Sequence, residues 1–143
     1  MTETFDDDSR LALVKHRMDV ACDTMKEALI ISNGGFYNGA VGRLYYTCYY
    51  AAKALLLADG IQVLGHHDVK TMLGLHFVSK GRMSVSSSQL YSILFYQWYS
   101  MDCDYFVYCD QEMFDELYPK AEAFIEEVKK LIESSCNTTE KDI

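Results

Sequence analysis

Apolar residues recur every third or fourth position along most of this chain, and only one proline, Pro119, interrupts the pattern. That period is the signature of amphipathic helices, and a strand-rich fold needs more turn punctuation than one proline supplies. The spacing predicts a first helix over residues 8–32, with Leu11, Val14, Met18, Ala21 or Cys22, Met25 and Leu29 on one stripe. Ser32-Asn-Gly-Gly35 ends it, because glycine and asparagine accept the left-handed conformation of a helix C-terminus. A second helix over 38–58 is apolar on two faces. One carries Val41, Leu44, Tyr45, Cys48, Ala52, Leu55 and Leu56, the other Tyr46, Tyr50 and Leu57. Such a helix is central in the fold or meets another subunit.

A shorter helix follows over 66–79, with Val69, Met72, Leu73, His76 and Phe77 on one face. Residues 84–88 read as a polar turn, and 88–103 as a fourth helix with Leu90, Ile93, Leu94, Trp98 and Met101 inward. After an irregular stretch over 104–110, the last helix runs to about residue 133 on Phe114, Leu117, Ala121, Phe124, Val128 and Leu131. Pro119 predicts a kink or break near Tyr118, since proline removes a backbone bond and crowds the preceding turn. The expected fold is all-α: an up-and-down antiparallel bundle of four long helices plus one shorter helix. Residues 1–134 form a single domain in this reading, and 135–143 a frayed polar tail.

Half of the 143 residues are hydrophobic, enough for a core without disulfides. The five cysteines follow no paired spacing, which fits reduced, mostly buried thiols in a cytoplasmic protein. The acidic N-terminus is unlike a signal peptide, and no apolar run is long enough to span a bilayer. Thirteen basic against 21 acidic residues give a net charge of −8, which disfavours RNA as a partner.

Chemistry-bearing motifs are sparse. His66 and His67 are adjacent and so point about 100° apart on a helix, and no H-x-x-x-H occurs, so no metal and no cofactor is expected. No phosphate-loop or nucleophile-elbow motif is present. The tyrosines stand out. Four of the eleven are Tyr45, Tyr46, Tyr49 and Tyr50. On a helix 45 stacks with 49, and 46 with 50. They can supply core, a subunit interface, or a pocket for a base.

The run from Gly42 to Leu56 (G-R-L-Y-Y-T-C-Y-Y-A-A-K-A-L-L) resembles the second helix of HEPN domains of the small stand-alone prokaryotic branch. Gly60 followed by His66 resembles that branch's glycine–histidine loop. Phe77-Val-Ser-Lys-Gly81 resembles its F-V-K-x-G segment, Asp104-Tyr105 its D-Y pair, and the last helix its Ala121-x-x-Phe-Ile125. The resemblance covers about residues 10–132. It implies a compact bundle, a homodimer, a nucleotidyltransferase antitoxin as partner, and in many relatives a metal-independent ribonuclease toxin. It also implies an active site pairing an arginine with a histidine or tyrosine at the end of the fourth helix.

In that alignment the arginine falls at Ser100, and no arginine occurs beyond Arg82. A guanidinium grips phosphate in a bidentate fork that serine cannot replace. The expected function is therefore a non-catalytic HEPN-like interaction module. The alternatives are a ribonuclease toxin drawing on Tyr105, Asp104 and Arg43 or Arg82, and a nucleotide or small-molecule binding module. Arg43 reads as a structural ion pair, with Asp104 as one possible partner, or as the remaining cation of a degenerate pocket. Tyr45, Tyr46, Tyr49, Tyr50 and His66 are the binding or interface candidates. Arg10 and His16 satisfy the spacing of the active-site motif by chance, because they lie in the first helix on largely opposite faces.

Overall fold

The computed structural model describes residues 7–102 and 108–141. Five α-helices account for most of them: α1 (Asp7–Asn33), α2 (Tyr37–Ala58), α3 (His66–Leu73), α4 (Val85–Asp102) and α5 (Gln111–Lys141). No strand occurs among the described residues.

The four long helices run alternately up and down. Glu27 of α1 meets Arg43 of α2, Gly42 of α2 lies beside Met101 of α4, and Ser87 of α4 bonds Glu127 of α5, so each of these pairs is antiparallel. α2 packs against all four other helices. That central place explains its two apolar faces. Val41, Leu44, Tyr45, Cys48, Ala52, Leu55 and Leu56 are fully buried, while Tyr46, Tyr50 and Leu57 are half-buried.

Both ends of α2 use glycine. Gly35 and Gly60 have φ of 85° and 78°, a region costly for any residue with a Cβ. At Gly60 the N–H of Ile61 reaches back to the Leu56 carbonyl at 2.8 Å, closing the helix and turning the chain toward α3. α3 does not continue as one regular helix to Ser79. Its last part, Gly74–Val78, is a π-helical turn in which the Ser79 N–H bonds the Gly74 carbonyl at 2.9 Å. The wider turn keeps Phe77 fully buried in line with Val69 and Leu73.

Several sequence expectations need correction. Leu11, Leu29 and Ile93 are 44%, 41% and 45% exposed. The buried residues of α1 are Val14, Met18, Ala21, Thr24, Met25, Ala28 and Ser32, so the small residues Ala28 and Ser32 take the inner face beyond Met25. α4 begins at Val85, three residues before the expected start, because the serines cap it. The Ser87 N–H bonds the Ser84 hydroxyl oxygen at 3.1 Å, and Glu127 accepts from the Ser84 N–H and from both serine hydroxyls at 2.7–2.8 Å. Those serines are a helix start rather than a turn. Pro119 does not break α5, whose apolar stripe stays packed on both sides of it. Finally, α5 continues to Lys141, and the Ser135 hydroxyl bonds Asp59 at the end of α2.

Candidate functional site

α2 presents its tyrosines toward α3 and α4, and the three elements meet at His66. The His66 imidazole lies between two parallel rings. Tyr49 is 4.2 Å away at 17°, and Trp98 of α4 is 4.1 Å away at 23°. The Tyr45 hydroxyl is 2.7 Å from His66 Nδ1. The Tyr45 ring also stacks on Trp98 at 5.0 Å, and Tyr46 meets His66 edge-on at 6.0 Å. Trp98 Nε1 donates to the Tyr46 hydroxyl at 3.1 Å. Offset and edge-to-face contacts of this kind are the favoured geometries for aromatic pairs.

The structure thus brings together Tyr45, Tyr46, Tyr49 and His66. Tyr50 touches Tyr46 and Tyr49, one step further from the imidazole. Trp98 is the member that sequence reasoning placed only in the core. Its role depends on how α4 docks on α2 across 52 residues of chain, which no local pattern encodes. Asp104 and Tyr105 lie outside the described residues.

Burial shapes the chemistry of these groups. Tyr45 is 1% exposed, and loss of solvent pushes its hydroxyl well above the ordinary phenol range. Tyr49 and Tyr91 shift the same way, first by burial and then by neighbouring phenols. Tyr45 therefore stays a donor at neutral pH. When it donates to Nδ1, the imidazole carries its own proton on Nε2. A ring hydrogen-bonded to Tyr45 and covered on both faces is fixed in orientation. The Tyr91 hydroxyl is buried beside that of Tyr45.

Two cations border the cluster, and Lys53 Nζ lies over the Tyr49 ring, 5.3 Å from its centroid. Arg43 sits over the Tyr46 ring, 5.6 Å from its centroid, and pairs with Glu27 at 3.6 Å. The ion pair expected for Arg43 is thus present, with α1 as its source. Arg82 is elsewhere. It bonds Asp59 at 2.8 Å and the His76 carbonyl, and its guanidinium lies 4.1 Å from the Phe77 ring. Asp59 follows the last residue of α2, whereas Gly42 near the start of α2 is the residue beside Met101. At 1.5 Å per residue these points are roughly 25 Å apart. Between Arg82 and Asp102 no charged residue occurs at all, so the described part of α4 before its last residue is uncharged.

The sequence matches the HEPN domain family over residues 14–131. The chain belongs to that family. Among curated relatives, it is 28% identical to the UPF0332 protein of Thermotoga maritima over 79% of this chain and 86% of that protein. It is also 28% identical to a protein of Methanocaldococcus jannaschii named as a candidate toxin, over 80% of this chain and 85% of that one. A UPF0332 protein of Pyrococcus horikoshii is 35% identical over 48% of each chain. No helix of the described residues is long and apolar enough to cross a membrane.

Proposed function

We propose that this chain is a non-catalytic HEPN domain that acts as a homodimeric interaction module with a nucleotidyltransferase-type partner. The observation that carries this reading is the commitment of both arginines that could replace the one missing at Ser100. Arg43 is engaged by Glu27 and Tyr46. Arg82 is engaged by Asp59 and lies at the other end of α2. A phosphoryl site without a positioned cation loses the interaction that stabilises its transition state, and one such donor commonly contributes about 100- to 1000-fold in rate.

The surface assigned to self-association is the outer face of α4. Val85, Ile93, Tyr96 and Tyr99 are exposed there. Two copies of a chain of net charge −8 repel, and a helix face without carboxylates is where they can approach most easily. The names of the candidate-toxin relatives support a toxin–antitoxin setting, in which the partner is the antitoxin.

The test is incubation of purified protein with total RNA in the presence of a chelator. Intact RNA is the expected result. Cleavage that disappears in Tyr105→Phe or Arg43→Ala would establish the ribonuclease reading instead. Self-association is read separately by light scattering. A dimer that falls to monomer in Ile93→Glu is expected, and a strict monomer at micromolar concentration would rule the dimer out.

A further inference from the structure

One end of the bundle gathers the C-terminus of α1, the N-termini of α2 and α5 and, through Met101 beside Gly42, the last turn of α4. Its tip is uncharged: residues 28–42 contain no Asp, Glu, Lys or Arg, in a chain where 24% of residues are charged. The tip is apolar instead. Ile30, Phe36 and Tyr108 are 70%, 72% and 70% exposed. Contacts of the turn hold them together. The Gly34 N–H bonds the Ile30 carbonyl at 3.3 Å, and the Phe36 ring folds back over Gly34, 3.4 Å from where a Cβ would stand. The Cys109 N–H donates to Asn38 Oδ1 at 2.7 Å, which sets Tyr108 beside the first turn of α2. Three side chains of this size expose on the order of 400 Å² of apolar surface. Single exposed apolar residues need no explanation, but a contiguous patch of that extent marks an interaction site.

Phe36 is also a poor residue for its place. It is the N-cap of α2 and makes no side-chain cap hydrogen bond. Serine, asparagine or aspartate there accepts from the N–H groups of the first turn, which an aromatic ring does not. A residue that breaks its local rule while standing in solvent points to a contact outside the fold. Beside this patch the surface is acidic. Asp110, Glu112, Asp115 and Glu116 are exposed at the start of α5, within roughly 9 Å along the helix axis. Asp110 caps α5, accepting from the Met113 N–H at 2.9 Å, and Glu112 answers the helix dipole. Asp115 and Glu116 lie beyond the first turn, where that effect fades. No basic residue occurs between Arg82 and Lys120. The cations that flank the tip in sequence, Lys26 and Arg43, each face a carboxylate, Asp23 and Glu27.

We propose that this end of the bundle, with Ile30, Phe36 and Tyr108 as its apolar centre and the acidic start of α5 as its rim, docks a basic amphipathic helix of a different protein. Charge selects the occupant. A basic amphipathic helix carries both halves of the complement, an apolar stripe and flanking Lys or Arg. A second copy of this chain, joined through the same face, sets acidic rim against acidic rim. An anionic lipid surface meets the same carboxylates and is repelled. The proposal rests on the reading of the chain as an interaction module. It gives that reading a partner face apart from the α4 face assigned to self-association, and it states the chemistry the partner brings.

The test titrates the full chain with a helical peptide of leucine and lysine in amphipathic order. A leucine–glutamate peptide of the same pattern and a lysine–serine peptide of equal charge run in parallel, with phosphatidylcholine vesicles as a fourth arm. Binding is followed by backbone amide NMR signals. Saturable shifts centred on Ile30, Gly34, Phe36 and Tyr108 are expected with the leucine–lysine peptide alone. Phe36→Ser and Ile30→Ser should each weaken binding by about tenfold or more, and Asp115→Asn with Glu116→Gln should weaken it and reduce its salt dependence. Phe36→Ser should melt no lower than wild type, because serine caps α2; a ring that served folding alone would lower the melting temperature. Its oligomeric state by light scattering should match wild type. Shifts that are absent or centred on α4, or equal binding of either control peptide, would overturn the proposal. So would a change of oligomeric state in Phe36→Ser, which makes a second copy the occupant, or equal shifts with the vesicles, which makes it a membrane. Failure here leaves the interaction-module reading to its own RNA and Ile93→Glu tests, which do not involve this end of the bundle.

Discussion

The hydroxyl of Tyr45 reaches Nδ1 of His66, and that bond ties the middle of α2 to the first turn of α3. Tyr45 is otherwise enclosed by rings, with Tyr91, Phe95 and Trp98 around it. Replacing it with phenylalanine keeps the packing and removes only the bond, so Tyr45→Phe should cost about 1 kcal/mol in urea unfolding. The same change in a His66→Phe background should cost less, because the partner is already gone, and equal losses in both backgrounds would mean that the bond carries no net stability. The pairing of Tyr45 with Tyr49 follows from their spacing of four along one helix and was legible in the sequence. The sandwiching of His66 was not. It needs two other helices to arrive from positions that sequence spacing does not fix.

At the scale of elements, α4 shows where local reading falls short. Four serines in five residues look like a turn when taken alone. They become a capped helix start because Glu127, 43 residues beyond Ser84, accepts three of their hydrogen bonds. Burial would raise the Glu127 carboxyl, but the bonds from Ser84 and Ser87 outweigh it and hold it below the usual carboxylate range. Ser84→Ala should therefore destabilise the protein by about 1 kcal/mol, seen as a lower urea midpoint. Glu127→Gln tests the charge. Since the folded carboxyl is held low, its contribution is present above about pH 4.5 and is lost as pH falls through the folded value. The deficit of the variant against wild type should shrink in acid, and a deficit independent of pH would assign the clamp to hydrogen bonding without charge. The helix types, their order and most of their buried stripes were readable from the 3.6-residue period. The exposed Leu29 and Ile93 were not, because a stripe fixes a face only to within about one residue.

At the scale of the molecule, the buried phenols and thiol set a limit on the alkaline side. Tyr45, Tyr91 and Cys48 all titrate well above their ordinary values, chiefly because burial disfavours their charged forms. The unfolded chain releases these protons first, so stability is full below about pH 8.5 and falls as pH rises beyond it. Each group contributes a slope of up to about 1.4 kcal/mol per pH unit. Melting temperature measured from pH 8 to 11 should decline ever more steeply, and Tyr91→Phe should flatten the decline. A flat profile to pH 11 would show that these groups are solvated in the folded protein. The family and the bundle were legible in the sequence, through motifs spread in order along the chain. The sequence has no arginine beyond Arg82, and Asp104 and Tyr105, the pair that resembles the family's D-Y, lie outside the described residues.

The reach from Ser84 to Glu127 also bears on how the protein comes into being. A ribosome delivers α1 and α2 first, and these two neighbours can pair as soon as both are exposed, needing only the short glycine turn at Gly35. α3 and then α4 emerge next, but the carboxylate that secures the first turn of α4 is still unmade. Through that interval the face of α2 destined for α4 and α5 stays wet, and the nascent chain is an aromatic hairpin in search of a cover. A chain paused before residue 127 would hold the first turn of α4 without the carboxylate that accepts from Ser84 and Ser87.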